Sequence, residues 1–287
     1  LLLVPLFGLV SRIKRLSSKL HSTTNMVICQ PAYFGRQVPA MKGSRTARGD
    51  ATFPRPLTTV DLVIFSIRDE RLHVLLVRRS ADRGEPFPGR WALPGGFVDI
   101  GRDRDLEGCA KRKLLEKTGV STPYLEQLGS WGSARRDPRG WSATHVYFAL
   151  IASTGLDLET GGNAADAAWF AIKGQAVEPR LAFDHRDILM AAIARLRAKV
   201  EYTSLPVYLV EEPFTLTDLQ HAYEIVLERP VNKAAFRTRL LSAGLVVSTG
   251  ESRGGKNRPA ELYRLAVGRA EPVFFPRTFS PRVARDE

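Results

Sequence analysis

Three clusters of side chains in this chain are suited to handling anions. Lys113 and Lys117 stand four residues apart in the stretch Arg112-Lys113-Leu114-Leu115-Glu116-Lys117-Thr118-Gly119, whose spacing is helical, so they share one helix face. Two ammonium groups on one face repel a divalent cation rather than bind it. Either the pair points into a pocket and neutralises a phosphate directly, or it is an ordinary solvated face. The loop Arg136-Asp137-Pro138-Arg139-Gly140-Trp141 carries two guanidinium forks, which fit phosphate oxygens bidentately, and an indole able to stack on a base. Its Asp, Pro and Gly serve a plain turn equally well. Residues 229–264 hold Arg229, Lys233, Arg237, Arg239, Arg253, Lys256, Arg258 and Arg264 against only Glu251 and Glu261. That local charge of +6 suits docking on a phosphate backbone; the plain alternative is a solvated cationic face.

The first cluster lies inside a longer pattern. Arg90-Trp91-Ala92-Leu93-Pro94-Gly95-Gly96-Phe97-Val98, followed by the helix ending at Gly119-Val120, resembles the Nudix box. The resemblance implies metal-assisted attack of water on a nucleoside diphosphate, with helix carboxylates collecting magnesium. Arg112, Leu114, Glu116, Gly119 and Val120 fit the family pattern, but Lys113 and Lys117 replace two of its acids. Counting forward from Gly96 places Arg102 where the remaining glutamate belongs, and counting back from Arg112 places Arg104 there. No catalytic or metal-ligating residue is therefore expected and no cofactor is required. The alternative is a magnesium-dependent hydrolase using Glu116 with Asp103 and Glu107; Asp99 and Asp105 are further nearby acids, all of which otherwise solvate the loop and the helix N-terminus.

The elements that must position these groups follow from periodicity. Residues 62–67 and 73–77 are short apolar runs joined by the polar turn Arg68-Asp69-Glu70-Arg71, which predicts a buried hairpin. Residues 105–118 predict a helix stopped by Gly119, with strands at 124–129, 144–151 and 167–170 and a long helix over 185–199. Asp184 reads as the N-cap of that helix. Beyond residue 200, Thr215 with Asp218 caps a short helix carrying Leu219, Tyr223 and Val226. Asn232 caps a second, with Phe236, Leu240 and Leu241 inward and Lys233, Arg237 and Arg239 outward, stopped by Gly244. Strands at 245–249 and 261–265 flank a basic loop that places Arg253, Lys256 and Arg258 on a wing. Helix, turn, helix, hairpin is the order of a winged helix-turn-helix.

The 287 residues allow two domains, with 44% hydrophobic and 25% charged residues supporting real cores. The formal charge is +12, which favours a polyanionic partner. Residues 1–50 hold eight of the cations and one acid, Asp50, and read as a disordered basic leader, with a start at Met26 or Met41 and a mitochondrial-type presequence as alternatives. Cys29 and Cys109 have neither zinc nor disulfide spacing, and the apolar run at residues 1–10 is about half a membrane span.

Residues 58–270 as a whole resemble the Nudix-related transcriptional regulators of NAD metabolism. The likeness rests on Arg112-Lys113-Leu114, Glu116-Lys117-Thr118, Tyr124-Leu125-Glu126-Gln127-Leu128, the loop from Arg136 to Trp141, and Leu181-Ala182-Phe183-Asp184-His185. It continues through Glu212-Pro213-Phe214-Thr215-Leu216, Leu219-Gln220-His221, Phe236-Arg237, Arg258-Pro259-Ala260 and Leu262-Tyr263, with Asn257 departing from the family's Gly. The expected fold is α+β: a Nudix-type mixed α/β/α sandwich over 58–200, then a winged helix-turn-helix over 201–270, with a leader at 1–57 and a tail at 271–287. The resemblance implies a cytoplasmic, dimeric repressor that grips double-stranded DNA and senses ADP-ribose or a related nucleotide, with no membrane partner. The expected ligand residues are Gly95, Gly96, Phe97, Lys113, Lys117, Arg136, Asp137 and Arg139; the expected DNA residues are Lys233, Arg237, Arg239, Arg253, Lys256 and Arg258. An ADP-ribose pyrophosphatase and a sugar-responsive regulator are the alternatives.

Overall fold

The computed structural model describes residues 55–119, 124–153, 164–254, 259–266 and 272–275. The leader before residue 55, Lys256, Asn257 and Arg258 of the wing, and the tail beyond 275 lie outside the described residues.

Strand β1 (Leu57–Arg68) forms a hairpin with β2 (Arg71–Arg79), turning through Asp69 and Glu70, both at positive φ as a two-residue turn that matches strand twist requires. Short strands β3 (Trp91–Ala92) and β4 (Gly95–Phe97) pair with β2 and β1, and β5 (Tyr124–Ser133), β6 (Ser142–Leu150) and β7 (Ala164–Ala171) complete one mixed sheet in which β1 and β6 run parallel. The alternation of β1 divides its side chains between two layers. Val60, Leu62 and Ile64 face Cys109, Ala110 and Leu114 of helix α1 (Leu106–Thr118). Val63 and Phe65 face Ile188, Ala192 and Leu196 of helix α2 (His185–Val200). The result is a helix–sheet–helix sandwich with both sheet faces dry.

Gly119 closes α1 at φ 67°, as expected, while Asp105 stands outside the helix as its N-cap, its carboxylate accepting from the Gly108 amide at 2.7 Å. After a 3-10 turn at Leu205–Leu209, the second part consists of β8 (Phe214–Thr215), α3 (Leu216–Leu227), α4 (Lys233–Ser242), β9 (Val246–Arg253) and β10 (Ala260–Leu265). Thr215 and Asp218 form a reciprocal capping box on α3, and the Asn232 side chain caps α4 through the Ala235 amide. The three strands form one small sheet in the order β8, β10, β9, so α3, α4 and the hairpin are a winged helix.

The two parts share a single apolar core. One buried cluster runs from Val63 and Phe148 through α2 and the 3-10 turn to Tyr223, Phe236 and Leu240. Polar contacts reinforce the junction: Arg197 of α2 donates to the Val226 carbonyl at 3.1 Å and pairs with Glu228 at 2.6 Å, Arg229 pairs with Glu201 at 2.6 Å, and His221 of α3 meets Glu70 of the β1–β2 turn.

Candidate functional site

A cleft of about 140 Å³ opens where β1, β4 and the C-terminal end of α1 meet the 136–139 loop and the start of α2. Gly95, Gly96, Phe97, Lys117, Arg136, Asp137 and Arg139 line it, so side chains far apart in sequence converge there. Thr59, Asp61, Arg79, Glu85, Phe183 and His185 also line it. None of these six is among the ligand residues expected from sequence. The signal for Asp61 was present, since a lone carboxylate inside the apolar run Val60-Asp61-Leu62-Val63-Ile64 needs a buried partner. Phe183 and His185 stand in the motif Leu181-Ala182-Phe183-Asp184-His185 that helps carry the family resemblance, but that motif does not tie them to the cleft.

Asp61 is the centre of a buried polar cluster. Its carboxylate accepts from the Thr144 hydroxyl at 2.7 Å and lies 3.6 Å from both Arg136 and His185. Burial alone would raise this carboxyl, but His185, Thr144 and the Arg136 charge outweigh it and hold it below the usual carboxylate value. His185 Nδ1 accepts from the Leu93 backbone N–H at 2.8 Å, which leaves Nε2 to carry the ring proton toward Asp61. Gly95 is required beside it, because a Cβ there would fall 2.2 Å from the Asp61 carboxylate and 2.6 Å from the Val60 carbonyl. Gly96 has φ 144°, and a Cβ on it would meet Lys113 Nζ at 3.0 Å.

The arginine loop differs from its sequence reading. Arg136 and Arg139 were expected as open forks for phosphate; instead each fork is closed on a carboxylate. Arg136 is 4% exposed and clamps Asp184 through two bonds, at 2.9 and 3.0 Å. Arg139 clamps Asp137 at 3.0 and 2.8 Å and lies over the Phe97 ring at 5.0 Å. Burial would raise the Asp137 carboxyl, but Arg139 outweighs it and lowers it. The buried Arg136 guanidinium keeps its carboxylate partner in low dielectric, and the exposed Arg139 is held by its two bonds to the buried Asp137, so both arginines shape the wall of the cleft. Asp184 accordingly does not cap α2 with its side chain, as the sequence had suggested, because Arg136 holds the carboxylate. Trp141 is half-exposed and does not line the cleft.

The acids of α1 are engaged with cations as well. Arg112 grips Asp103 at 2.6 and 2.7 Å and Glu116 at 3.1 Å, and this holds the Asp103 carboxyl far below the ordinary value. Arg102 reaches Glu116 at 3.8 Å, and Lys111 pairs with Glu107. Among the described residues, no three His, Cys, Asp or Glu side chains are grouped to hold a metal ion. Lys113, expected among the ligand residues, does not line the cleft but is buried against Gly96, while Lys117 lines it and is half-buried; burial lowers the Lys117 ammonium, with Glu116 opposing and the Lys113 charge adding to the shift.

On the winged helix, Lys233 and Arg237 are exposed one turn apart on α4, while Phe236 and Leu240 are buried. Leu241, expected inward, is half-exposed, because it continues the Lys233–Arg237 face at the next turn. Arg239, expected outward, is turned in, with its guanidinium over Phe275 at 5.5 Å. Residue 239 follows Arg237 by 200° around the helix, which puts it on the side where the C-terminal segment packs. Arg253 reaches back to Asp218 at 2.9 Å and to the Pro213 carbonyl, fixing the wing strand to the α3 cap. With Arg229 on Glu201, three of the eight cations are directed at the protein itself, while Lys233, Arg237 and Arg264 remain exposed.

Residues 57–192 match the NUDIX domain family, and residues 206–265 match the NrtR DNA-binding winged helix domain. The chain is 48% identical over 215 residues to the ADPR responsive transcriptional repressor NtrR of Acinetobacter baylyi, covering 75% of this chain and 84% of that protein. It is 40% identical to Shewanella oneidensis NrtR in its crystal structure with a 27mer DNA, with a TM-score of 0.70, covering 78% of this chain and 99% of that one. It is also 34% identical over 134 residues to the ADP-ribose pyrophosphatase of Methanocaldococcus jannaschii, covering 47% of this chain and 71% of that protein.

Proposed function

Because the chain belongs to the NrtR family, with its NUDIX domain and NrtR DNA-binding winged helix, we propose that it is an ADP-ribose-responsive transcriptional repressor of NAD biosynthesis or salvage genes. In this reading it works in the cytoplasm as a homodimer on a two-fold operator, and it requires no cofactor. Among the described residues no helix is long and apolar enough to cross a membrane. Gly96, Phe97 and Lys117 contact the nucleotide in the cleft, with Arg136, Asp137 and Arg139 setting its wall; Lys233 and Arg237 contact the operator.

One observation carries the coupling of the two sites. The first turn of α2 supplies Asp184 and His185 to the cleft cluster, and its last turns supply Arg197 and Val200 to the contact with the winged helix. A ligand that changes the cleft wall acts on one end of a rigid helix whose other end bears on the DNA-binding part. To release DNA the ligand must bind the two arrangements of that part unequally.

The test is a gel-shift assay on the chain's own upstream region, titrated with ADP-ribose, NAD and arabinose. ADP-ribose should release the DNA. Absence of DNA binding at low ionic strength refutes the reading, and release by arabinose alone transfers it to the sugar-responsive alternative. The likeness to an ADP-ribose pyrophosphatase favours one second reading, a hydrolase. The closure of Asp103, Glu107 and Glu116 on cations weighs against it. Magnesium-dependent release of AMP and ribose phosphate would decide for it.

A further inference from the structure

The magnesium chemistry that a Nudix helix implies does not fit the residues present. Two of the acid positions are Lys113 and Lys117; Asp103, Glu107 and Glu116 face Arg112, Arg102 and Lys111, and Asp99 and Asp105 accept from the Gly101 and Gly108 amides. Lys113 is the unusual member of this group. It is 8% exposed, and among the described residues it makes neither an ion pair nor a hydrogen bond. Its ammonium lies against Gly96, 3.0 Å from where a side chain on that glycine would begin, and Gly96 lines the cleft together with Lys117.

The side chain is largely buried, but its Nζ is not one of the fully enclosed polar atoms that lack a partner, so the ammonium reaches the surface beside Gly96 and can meet an anion there. The nearby acids cannot supply one: Asp103 and Glu116 are held by Arg112, and Asp61 by Thr144, His185 and Arg136. The Cys109 thiol on the same helix is pushed up to about 11 by burial and stays neutral. Gly96 at φ 144° removes the one side chain that would stand in front of the ammonium.

We infer that Lys113 is a built-in cation in place of the divalent metal, and that it recognises the diphosphate of the ligand from beneath Gly96. The inference rests on reading the cleft as a nucleotide site and adds how the charge of that nucleotide is met. It has two consequences. Binding of a diphosphate is independent of divalent cations. Removing the ammonium lowers diphosphate affinity whether or not magnesium is present.

Calorimetry of the full chain with ADP-ribose and with inorganic pyrophosphate, each in EDTA and in magnesium, tests this beside thermal melting. The wild type should bind both diphosphates with a Kd that magnesium changes less than about twofold. Lys113→Met should weaken both by about tenfold or more, the size of one charge-assisted hydrogen bond. Its melting temperature without ligand should stay close to that of the wild type, which separates lost affinity from lost fold. Lys113→Gln is the second variant and should show the same loss, and stabilisation of the wild type by pyrophosphate in EDTA is a readout independent of either. Wild-type affinity that requires magnesium, or variants that bind as tightly as the wild type, would overturn the role of Lys113 while leaving a nucleotide sensor in place. A wild type that binds neither diphosphate removes the nucleotide reading, and this inference with it.

Discussion

Replacing Arg136 with Met takes the cation out of the cluster beside the cleft while keeping most of its volume. The guanidinium holds Asp184 at 2.9 and 3.0 Å and stands 3.6 Å from Asp61. Breaking a buried pair by deleting one partner costs about 3–5 kcal/mol, because the other charge is left behind. Asp184 is partly exposed and water can recover some of its loss, so about 3 kcal/mol is expected. In a folded body of this size that lowers Tm by about 6–12 °C. The pH dependence fixes the cause. In the wild type the folded Asp61 carboxyl lies below its ordinary value, so its stabilisation is complete above the unfolded value and is lost as pH falls through the folded one. The variant has less of that stabilisation to lose, and its deficit should be largest at pH 7 and narrow below about pH 4. Urea unfolding at both pH values measures this, and adding Asp184→Asn to the Met variant should restore part of the loss at neutral pH. A deficit under about 1 kcal/mol at pH 7, or one that is the same at both pH values, would refute the electrostatic account of the cluster.

The remaining predictions concern the two binding surfaces. Arg237→Ala should weaken operator binding and reduce the slope of log affinity against log salt by about 0.9, with ADP-ribose affinity unchanged in calorimetry. Arg239→Ala should leave that slope unchanged and lower Tm instead, because its guanidinium packs on Phe275; equal slope changes in the two variants would show that α4 meets DNA through another face. Gly96→Ala places a side chain at φ 144° against Lys113 Nζ and should destabilise the fold by about 1–3 kcal/mol in urea unfolding and weaken ADP-ribose binding. Wild-type stability and affinity in that variant would mean that β4 does not hold the backbone described.

Most of the architecture was legible in local sequence signals. The two-residue turn at Asp69-Glu70, the caps at Thr215 and Asn232, and the stop at Gly119 each satisfy backbone groups within a few residues, so spacing alone announces them. The short strands β3, β4 and β8 were not legible, since two or three residues carry no period; they exist because longer strands offer them edges. The cleft was partly legible. Gly95, Gly96, Phe97 and Lys117 belong to one motif and Phe183 and His185 to another, whereas Asp61 and Arg79 come from separate strands and nothing local joins them to the cleft.

The sequence by itself determined which charges this protein owns: lysines at the acid positions of the Nudix helix, and a surplus of cations on the second helix and wing of the C-terminal part. Only the tertiary structure decided what each charge faces. It closed Arg136 on Asp184 and Arg139 on Asp137, turned Arg239 onto Phe275, left Lys233 and Arg237 in the open, and buried Lys113 against Gly96. The reason is physical: composition sets the sign of a charge locally, but its partner and its dielectric surroundings come from segments brought near by the fold, and these decide whether it binds a ligand or holds the chain together.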